Sequence, residues 1–314
     1  MFINSTGFYI PSKRVPNDYF LNLNGLTSEW IYQRTGILTR SKAGDDENTH
    51  TMGIAAVEDA LPKLSYNVED VDLIIGASYS PFDTVATLAH VVQREFNVKN
   101  TKAVYISSAC SSFLNALEIA EGYFIGNKAN KALIVCSEHN TAYSNETDPK
   151  SGHLWGDAAV ALFISKERQK ENEPEITEIY TRALGHIGKG PGGVYLRPKT
   201  EGIRMPDGRD VFVYACRYMC EAIDYVVKRQ NCSIDDISYI ITHQANMRII
   251  NNVAGQLKLP DERFLCNIKE LGNTGSPSSP LVFAQNYAAF KPGDKIVLTV
   301  FGGGYSTGSC LIMC

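Results

Sequence analysis

Three observations predict an internally duplicated α/β protein. Residues 68–75 read Val-Glu-Asp-Val-Asp-Leu-Ile-Ile and residues 234–241 read Ile-Asp-Asp-Ile-Ser-Tyr-Ile-Ile, one pattern of apolar and acidic positions recurring 166 residues later. Short apolar runs alternate with stretches of helical periodicity, the pattern of sheets covered by helices. The 314 residues are too many for one small core and suit two domains of ordinary size.

Buried strands are expected at residues 72–78, 103–107, 132–137 and 158–164, then at 237–242, 296–301 and 310–313. The later runs keep a similar offset. Residues 132–135 are answered by 296–300, and Gly156-Asp157 before 158–164 by Gly303-Gly304 before 310–313. Between Cys110 and Gly126 the apolar residues Phe113, Leu114, Leu117, Ala120 and Phe124 recur at helical spacing, so a helix starts at or just after Cys110, with Ser111 and Ser112 in its first turn. Residues 166–174 are polar and charged and mark the boundary between halves 1–166 and 167–314. Residues 185–208, rich in Gly and Pro and long for a plain connection, are expected to form a functional loop or cap. Two similar halves pack about a pseudo-twofold axis, which predicts that the loops carrying Cys110 and Asn273 meet at one centre.

With 44% apolar and 20% charged residues the composition is that of an ordinary globular protein, and a net charge of −4 provides no general field for nucleic acid. An acidic partner would have to be met locally. The N-terminus lacks a basic segment followed by a long apolar one, and no run approaches the roughly 18 apolar residues of a membrane span, so a cytoplasmic protein is expected. The eight cysteines include no Cys-x-x-Cys pair, and most are expected to be small buried hydrophobes.

Cys110 is the exception. A thiol at a helix N-terminus meets free backbone N–H groups and the positive end of the helix dipole, which are expected to lower its pKa toward neutrality. His243 follows the strand at 237–242, where open α/β sheets place their ligands. Asn273 lies in a Gly-Asn-Thr-Gly-Ser loop, and Gly302-Gly303-Gly304 after a strand lets backbone N–H groups approach a ligand. A cysteine, a histidine donor, an amide donor and a glycine backbone together suit acyl chemistry.

Six stretches occur in the order found in β-ketoacyl-ACP synthase III: Glu-Trp30-Ile-Tyr-Gln-Arg34-Thr-Gly-Ile, Ala-Cys110-Ser, Trp155-Gly-Asp-Ala-Ala, His243-Gln-Ala-Asn-Met-Arg248, Gly-Asn273-Thr and Phe-Gly-Gly303-Gly. The chain resembles that family over essentially its whole length. The resemblance implies the thiolase fold, a duplicated unit in five αβαβα layers, and an obligate homodimer. It implies that Cys110 carries the acyl group, that the N–H groups of Cys110 and Gly303 form the oxyanion hole, and that His243 and Asn273 stabilise the enolate formed from a malonyl thioester. It also implies substrate contacts at Trp30, Arg34, Val85 and Arg248. The substrates would be acyl-CoA, acyl-ACP and malonyl-ACP, with acyl carrier protein as partner and no metal or redox cofactor.

Several positions depart from the family pattern. The arginine that clamps the CoA adenine with the early tryptophan has no equivalent in residues 148–154, and basic positions that dock the carrier protein are Val213 and Gln256, leaving Arg248 and Lys258. A bulky phenylalanine at the end of the acyl pocket is replaced near Val85, and a small glycine after the cysteine is Ser112. These departures admit a relative in specialised metabolism that condenses, or transfers the acyl group to, a different acceptor. The order Cys, His, Asn also occurs in papain-like proteases, but the Cys-Gly-Ser-Cys-Trp element and disulfide context of those enzymes are missing. A thiolase needs a second cysteine near the C-terminal glycines, whereas Cys310 and Cys314 read as strand residues beyond them. An inert subunit would have lost one of Cys110, His243 and Asn273.

Overall fold

The computed structural model describes residues 1–314. The first half runs β1 (Phe2–Tyr9), β2 (Arg14–Pro16), α1 (Leu21–Asn24), α2 (Ser28–Thr35), β3 (Thr39–Ser41), α3 (Thr49–Ala60), β4 (Leu73–Ala77), α4 (Leu88–Glu95), β5 (Lys102–Ile106), α5 (Ser112–Ile125), β6 (Lys131–Glu138) and β7 (Ala158–Ser165). The second runs β8 (Glu175–Ala183), β9 (Tyr195–Arg197), β10 (Gly202–Arg204), α6 (Gly208–Arg229), β11 (Tyr239–Thr242), α7 (Met247–Leu257), α8 (Ile268–Leu271), α9 (Ser278–Asn286), β12 (Lys295–Gly302) and β13 (Ser306–Met313).

The strand order β11-β12-β13-β8-β1-β7-β6-β4-β5 reads alike from its centre outward in both directions. Thus β1, β7, β6 and β4 answer β8, β13, β12 and β11. Parallel pairing of β4 with β6 is matched by β11 with β12, and antiparallel β6–β7 by β12–β13. Only Phe2 and Glu175 pair β1 with β8, so the centre is a seam. Beside β11 the counterpart of β5 has shrunk to one bridge between Ile240 and Phe264.

Three cores fill the spaces between the layers. On the outer face of the first half, α3 and α4 bury Met52, Ala56, Val57, Leu88 and Val92 against Ile74, Leu133, Val135 and Phe163. On the outer face of the second, α6 and α7 bury Met219, Ile223, Ile250 and Val253 against Ile240, Val297 and Leu311. Between the sheets, α5 packs on β4 and β6 and also on β8 and β13, while α9 packs on β1 and β7 and also on β11 and β12. Phe113, Leu117, Leu281 and Phe283 therefore share one core with strands of both halves. This is the αβαβα arrangement, and it brings the start of α5 and the loop before α9 to the same place.

All seven expected strands form. The first strand of each half, β1 and β8, was not expected, because neither carries an apolar run. In β1 the buried residues include Asn4, Ser5 and Thr6, each held by a hydrogen bond: Asn4 Nδ2 donates to Ser165 Oγ (2.8 Å), Ser5 Oγ to Ala60 O (2.6 Å) and Thr6 Oγ1 to Ala161 O (3.0 Å). Satisfied polar groups can be buried, and they hide a strand from hydropathy. Residues 185–208 fold over the site as expected of a cap, and contain the β9–β10 hairpin within it. No helix is long and apolar enough to cross a membrane.

Candidate active site

Cys110 occupies the turn between β5 and α5. Ala109 before it has a left-handed backbone, φ 49°, a conformation costing an L-residue about 1–2 kcal/mol. Ser112 fastens the turn: its hydroxyl donates to Ala109 O (2.6 Å) and accepts the Ser108 N–H (2.9 Å). Gly302 at the end of β12 comes so close that a Cβ there would stand 3.1 Å from the nitrogens of both Cys110 and Ser111. Beyond it, the Gly303 N–H and the N–H of Cys110 itself point at the sulfur.

Burial pushes the thiol up to about 12, with the carboxylate of Glu138 acting in the same direction and the Tyr79 hydroxyl and the two N–H groups acting against it. The expectation of a near-neutral thiol is thereby corrected: desolvation in a site where Cys110 is 7% exposed outweighs the donors at the start of α5. Glu138 is itself raised by burial to about 7, although it accepts hydrogen bonds from Ser276 Oγ (2.5 Å), Ser80 Oγ and the N–H groups of Tyr79 and Ser80. This buried carboxylate ties the end of β4 to the Asn273 loop.

His243 continues β11, its N–H donating to Thr299 O (2.7 Å). Its Nδ1 is 2.6 Å from Ser278 Oγ, and Ser278 Oγ in turn accepts the Gln244 N–H (3.4 Å). A hydroxyl that accepts from Gln244 has its own proton free for Nδ1, which leaves the ring proton on Nε2, facing the cavity. Burial lowers the imidazole to about 4, so the ring is neutral at physiological pH.

Asn273 is fixed through its backbone, which donates to Leu154 O (2.9 Å) and accepts from Gly156 N–H (2.9 Å). Its Oδ1 takes the Gly275 N–H (3.0 Å), so the amide nitrogen is the end left for a ligand. Gly272 before it has φ 68° and ψ −160°, and a Cβ there would lie 2.8 Å from Leu154 O. Only glycine fits that position.

Cys110, His243, Asn273 and Gly303 line one cavity of about 30 Å³, closed by Trp155, Phe301, Met205 and Met219. From the thiol a second cavity of about 390 Å³ opens between Tyr79, Trp155 and the cap residues Pro191, Val194, Tyr195, Leu196 and Ile203. A third, of about 590 Å³, leads from Asn273 to the surface between Trp30, Arg34, His153, Phe212 and Arg248, with Lys150 and Arg209 on its wall and no acidic residue. Trp30 is covered by the guanidinium of Arg34 at 4.5 Å and meets the edge of His153 at 5.7 Å.

The structure thus brings Cys110, His243, Asn273 and Gly303 together and sets Trp30, Arg34 and Arg248 around the entrance. Val85 is the exception. It is 86% exposed on the loop after β4, its N–H bonded to Asp83 Oδ1, and it lines no cavity at the Cys110 of its own chain. Within the chain the larger cavity beside Cys110 is lined instead by cap residues such as Val194, Leu196 and Ile203. Tyr79, Ser278 and the side-chain role of Trp155 had no signal in the sequence beyond their position after a strand, beside a proline and before Gly-Asp.

Residues 105–185 and 227–314 match the family models of 3-oxoacyl-[acyl-carrier-protein (ACP)] synthase III and of its C-terminal region. The β-ketoacyl-[acyl-carrier-protein] synthase III of Acholeplasma laidlawii is 35% identical over 312 residues, covering 99% of this chain and 97% of its own. Among solved structures, the 3-oxoacyl-[acyl-carrier-protein] synthase III of Aquifex aeolicus superposes with a TM-score of 0.92 at 31% identity, over 100% of this chain and 99% of that one. The priming β-ketosynthase of the R1128 polyketide pathway does so with 0.90 at 25%, over 99% and 96%. With its site assembled in the same thiolase fold, the chain belongs to the β-ketoacyl-[acyl-carrier-protein] synthase III family of condensing enzymes.

Proposed function

We propose that the protein joins an acyl thioester primer to a malonyl thioester by decarboxylative Claisen condensation through acyl-Cys110, as at the start of fatty acid synthesis. The observation that carries this reading is the convergence of a thiol, two backbone N–H groups aimed at it, a neutral imidazole and a free amide on one cavity. In the first step the Cys110 sulfur bonds to the primer's carbonyl carbon, the carrier's C–S bond breaks, and the thiol proton leaves on the carrier. The N–H groups of Cys110 and Gly303 hold the oxyanion. In the second, a malonyl thioester places its thioester oxygen on His243 Nε2–H and Asn273 Nδ2–H. Loss of carbon dioxide leaves an enolate, whose carbon attacks the carbonyl of acyl-Cys110; the acyl–sulfur bond breaks, the β-ketoacyl thioester is released, and the Cys110 sulfur takes up a proton from solvent.

The entrance, with four cations and no acid, suits an anionic thioester carrier. Arg34 over Trp30, together with the missing clamp arginine, favours delivery of the primer by acyl carrier protein over CoA, with Arg248 meeting the carrier's acidic surface. A cavity of about 390 Å³ holds roughly a dozen water-sized groups and favours a primer longer than acetyl. We further infer a cytoplasmic homodimer built from halves 1–166 and 167–314. Likeness to the R1128 priming ketosynthase supports a second reading, in which the same acyl-enzyme serves polyketide-type metabolism and a different acceptor.

Intact mass after incubation with a panel of acyl-CoA and acyl-ACP thioesters tests the first step, and addition of malonyl-ACP the second. The expected result is one acyl adduct on Cys110, discharged by malonyl-ACP with release of carbon dioxide. Acylation elsewhere overturns the reading. An adduct that malonyl-ACP leaves in place, and an alcohol or amine removes, favours the second.

A further inference from the structure

We propose that Glu138, acting through Ser276, is a positioning residue for the enolate step, pinning a turn whose two ends hold Asn273 and His243. The inference rests on the assignment of those two side chains to the enolate.

Glu138 ends β6 and is wholly buried, yet no lysine, arginine or histidine pairs with it. A bare carboxylate in such a place is costly and is kept there by the donors around it. Two backbone N–H groups supply them, those of Tyr79 (3.2 Å) and Ser80 (3.0 Å), and three hydroxyls, those of Ser78 (3.0 Å), Ser80 and Ser276 (2.5 Å). All but the last come from the segment that follows β4. Ser276 alone comes from the second half of the chain, 138 residues on, so its hydrogen bond ties one half to the other.

The place of Ser276 in its loop gives that bond a consequence. The Ser278 N–H donates to Gly275 O (3.2 Å), closing a turn with Ser276 and Pro277 at its corners. The first residue of the turn gives its N–H to Asn273 Oδ1 (3.0 Å), which leaves the amide nitrogen for the enolate, and the last sets its hydroxyl 2.6 Å from His243 Nδ1. Both donors of the enolate site are thus aimed by the ends of one turn, and Glu138 holds its corner. The backbone of Asn273 is fastened separately, to Leu154 and Gly156, so the tether governs the aim of two side chains rather than the course of the chain. Hydrogen bonds to a carboxylate are shorter and stronger than neutral ones. Aim matters here, since a misplacement of about 1 Å costs about a hundredfold in rate.

The test measures two quantities on the full-length protein: kcat and KM for release of carbon dioxide from malonyl-ACP, and the rate of Cys110 alkylation by iodoacetamide, read by peptide mass. Ser276→Ala removes the tether and leaves Glu138 its other donors, so kcat should fall about tenfold or more while KM and the alkylation rate stay within about threefold of wild type. An alkylation rate in that range also shows that the variant is folded. In Glu138→Gln the side-chain oxygen keeps the donors after β4 and the amide donates to Ser276 Oγ, so decarboxylation should be retained better than in Ser276→Ala. Adding Glu138→Gln to Ser276→Ala should slow it by no more than about threefold further, since Glu138 reaches the two donors through Ser276. A wild-type kcat in Ser276→Ala, an equal fall in kcat and alkylation, or a double variant slower than that limit overturns the proposal while leaving His243 and Asn273 on the enolate. A wild type that releases no carbon dioxide from malonyl-ACP overturns both.

Discussion

As the proposed acyl acceptor, Cys110 would react against its own burial. Because desolvation raises the thiol to about 12, the neutral form dominates below that pH, and alkylation by iodoacetamide should climb about tenfold per pH unit from pH 6 to 9 without levelling. A plateau below pH 8 in the modification rate of this cysteine would show that the dipole of α5 prevails after all. Cys110→Ala should abolish condensation. His243 works in the opposite sense: its lowered pKa means that it gains a second proton only as pH falls through about 4, so malonyl decarboxylation should show no histidine limb between pH 5 and 8. His243→Ala or Asn273→Ala should slow decarboxylation by about two orders of magnitude, the scale of losing an oxyanion donor, and spare acylation. Loss of acylation in His243→Ala, with decarboxylation intact, would instead make the histidine the base for the thiol. Ser278→Ala removes the group that keeps the ring proton on Nε2 and should cost about tenfold or more in decarboxylation, with Ser278→Thr recovering most of it. The residues proposed to react were legible only in combination, because a lone histidine, an Asn-Thr-Gly turn or a run of glycines is ordinary at a strand end and it is their order along the chain that singles them out. Ser278 and Tyr79 were not, since a serine beside a proline and a tyrosine after a strand mean nothing until the partner atom is known.

Elements deliver these side chains through close backbone approaches that glycine permits. Gly272 joins α8 to the Asn273 loop in a conformation closed to other residues, with Leu154 O where a Cβ would go. Gly272→Ala should therefore lower stability by about 1–3 kcal/mol and move Asn273 off the enolate. Denaturant melts and half-reactions check this together: a folded variant that decarboxylates at the wild-type rate would show that the loop does not depend on the glycine. Strands were read from apolar runs, which found β4, β6, β7 and β11 to β13 because both of their faces are covered, and found the half-buried edge strand β5 from its run Ala-Val-Tyr-Ile. The same signal failed for β1, whose Asn4, Ser5 and Thr6 are buried with their hydrogen bonds made. It failed for β8 as well, whose residues are mostly half-buried along the seam. The lone Phe264 bridge beside β11 shows how far one half has drifted from the other, and no local pattern marks it.

At the scale of the molecule the duplication leaves one half with an open edge. Strand β5 pairs only with β4, on one side, and ends the sheet. The Lys102 N–H and the Ile106 carbonyl both point toward β4 and its flanks, so by the alternation of a strand Ala103 and Tyr105 direct their N–H groups outward. An uncovered edge is normally blunted by proline, a bulge or charge, yet residues 103–106 read Ala-Val-Tyr-Ile, and Phe82 and Val85 stand 65% and 86% exposed on the loop that follows β4. Edge pairing with a second copy would satisfy those N–H groups, the arrangement we infer for the homodimer. Sedimentation should accordingly find a dimer at micromolar concentration, and the amide protons of Ala103 and Tyr105 should exchange as slowly as those of β4. Ala103→Pro removes an outward donor without touching the bonds to β4, and should shift the protein toward monomer with its fold retained. A monomeric wild type would overturn the homodimer, and a dimer in which both amides exchange within seconds would place its interface elsewhere.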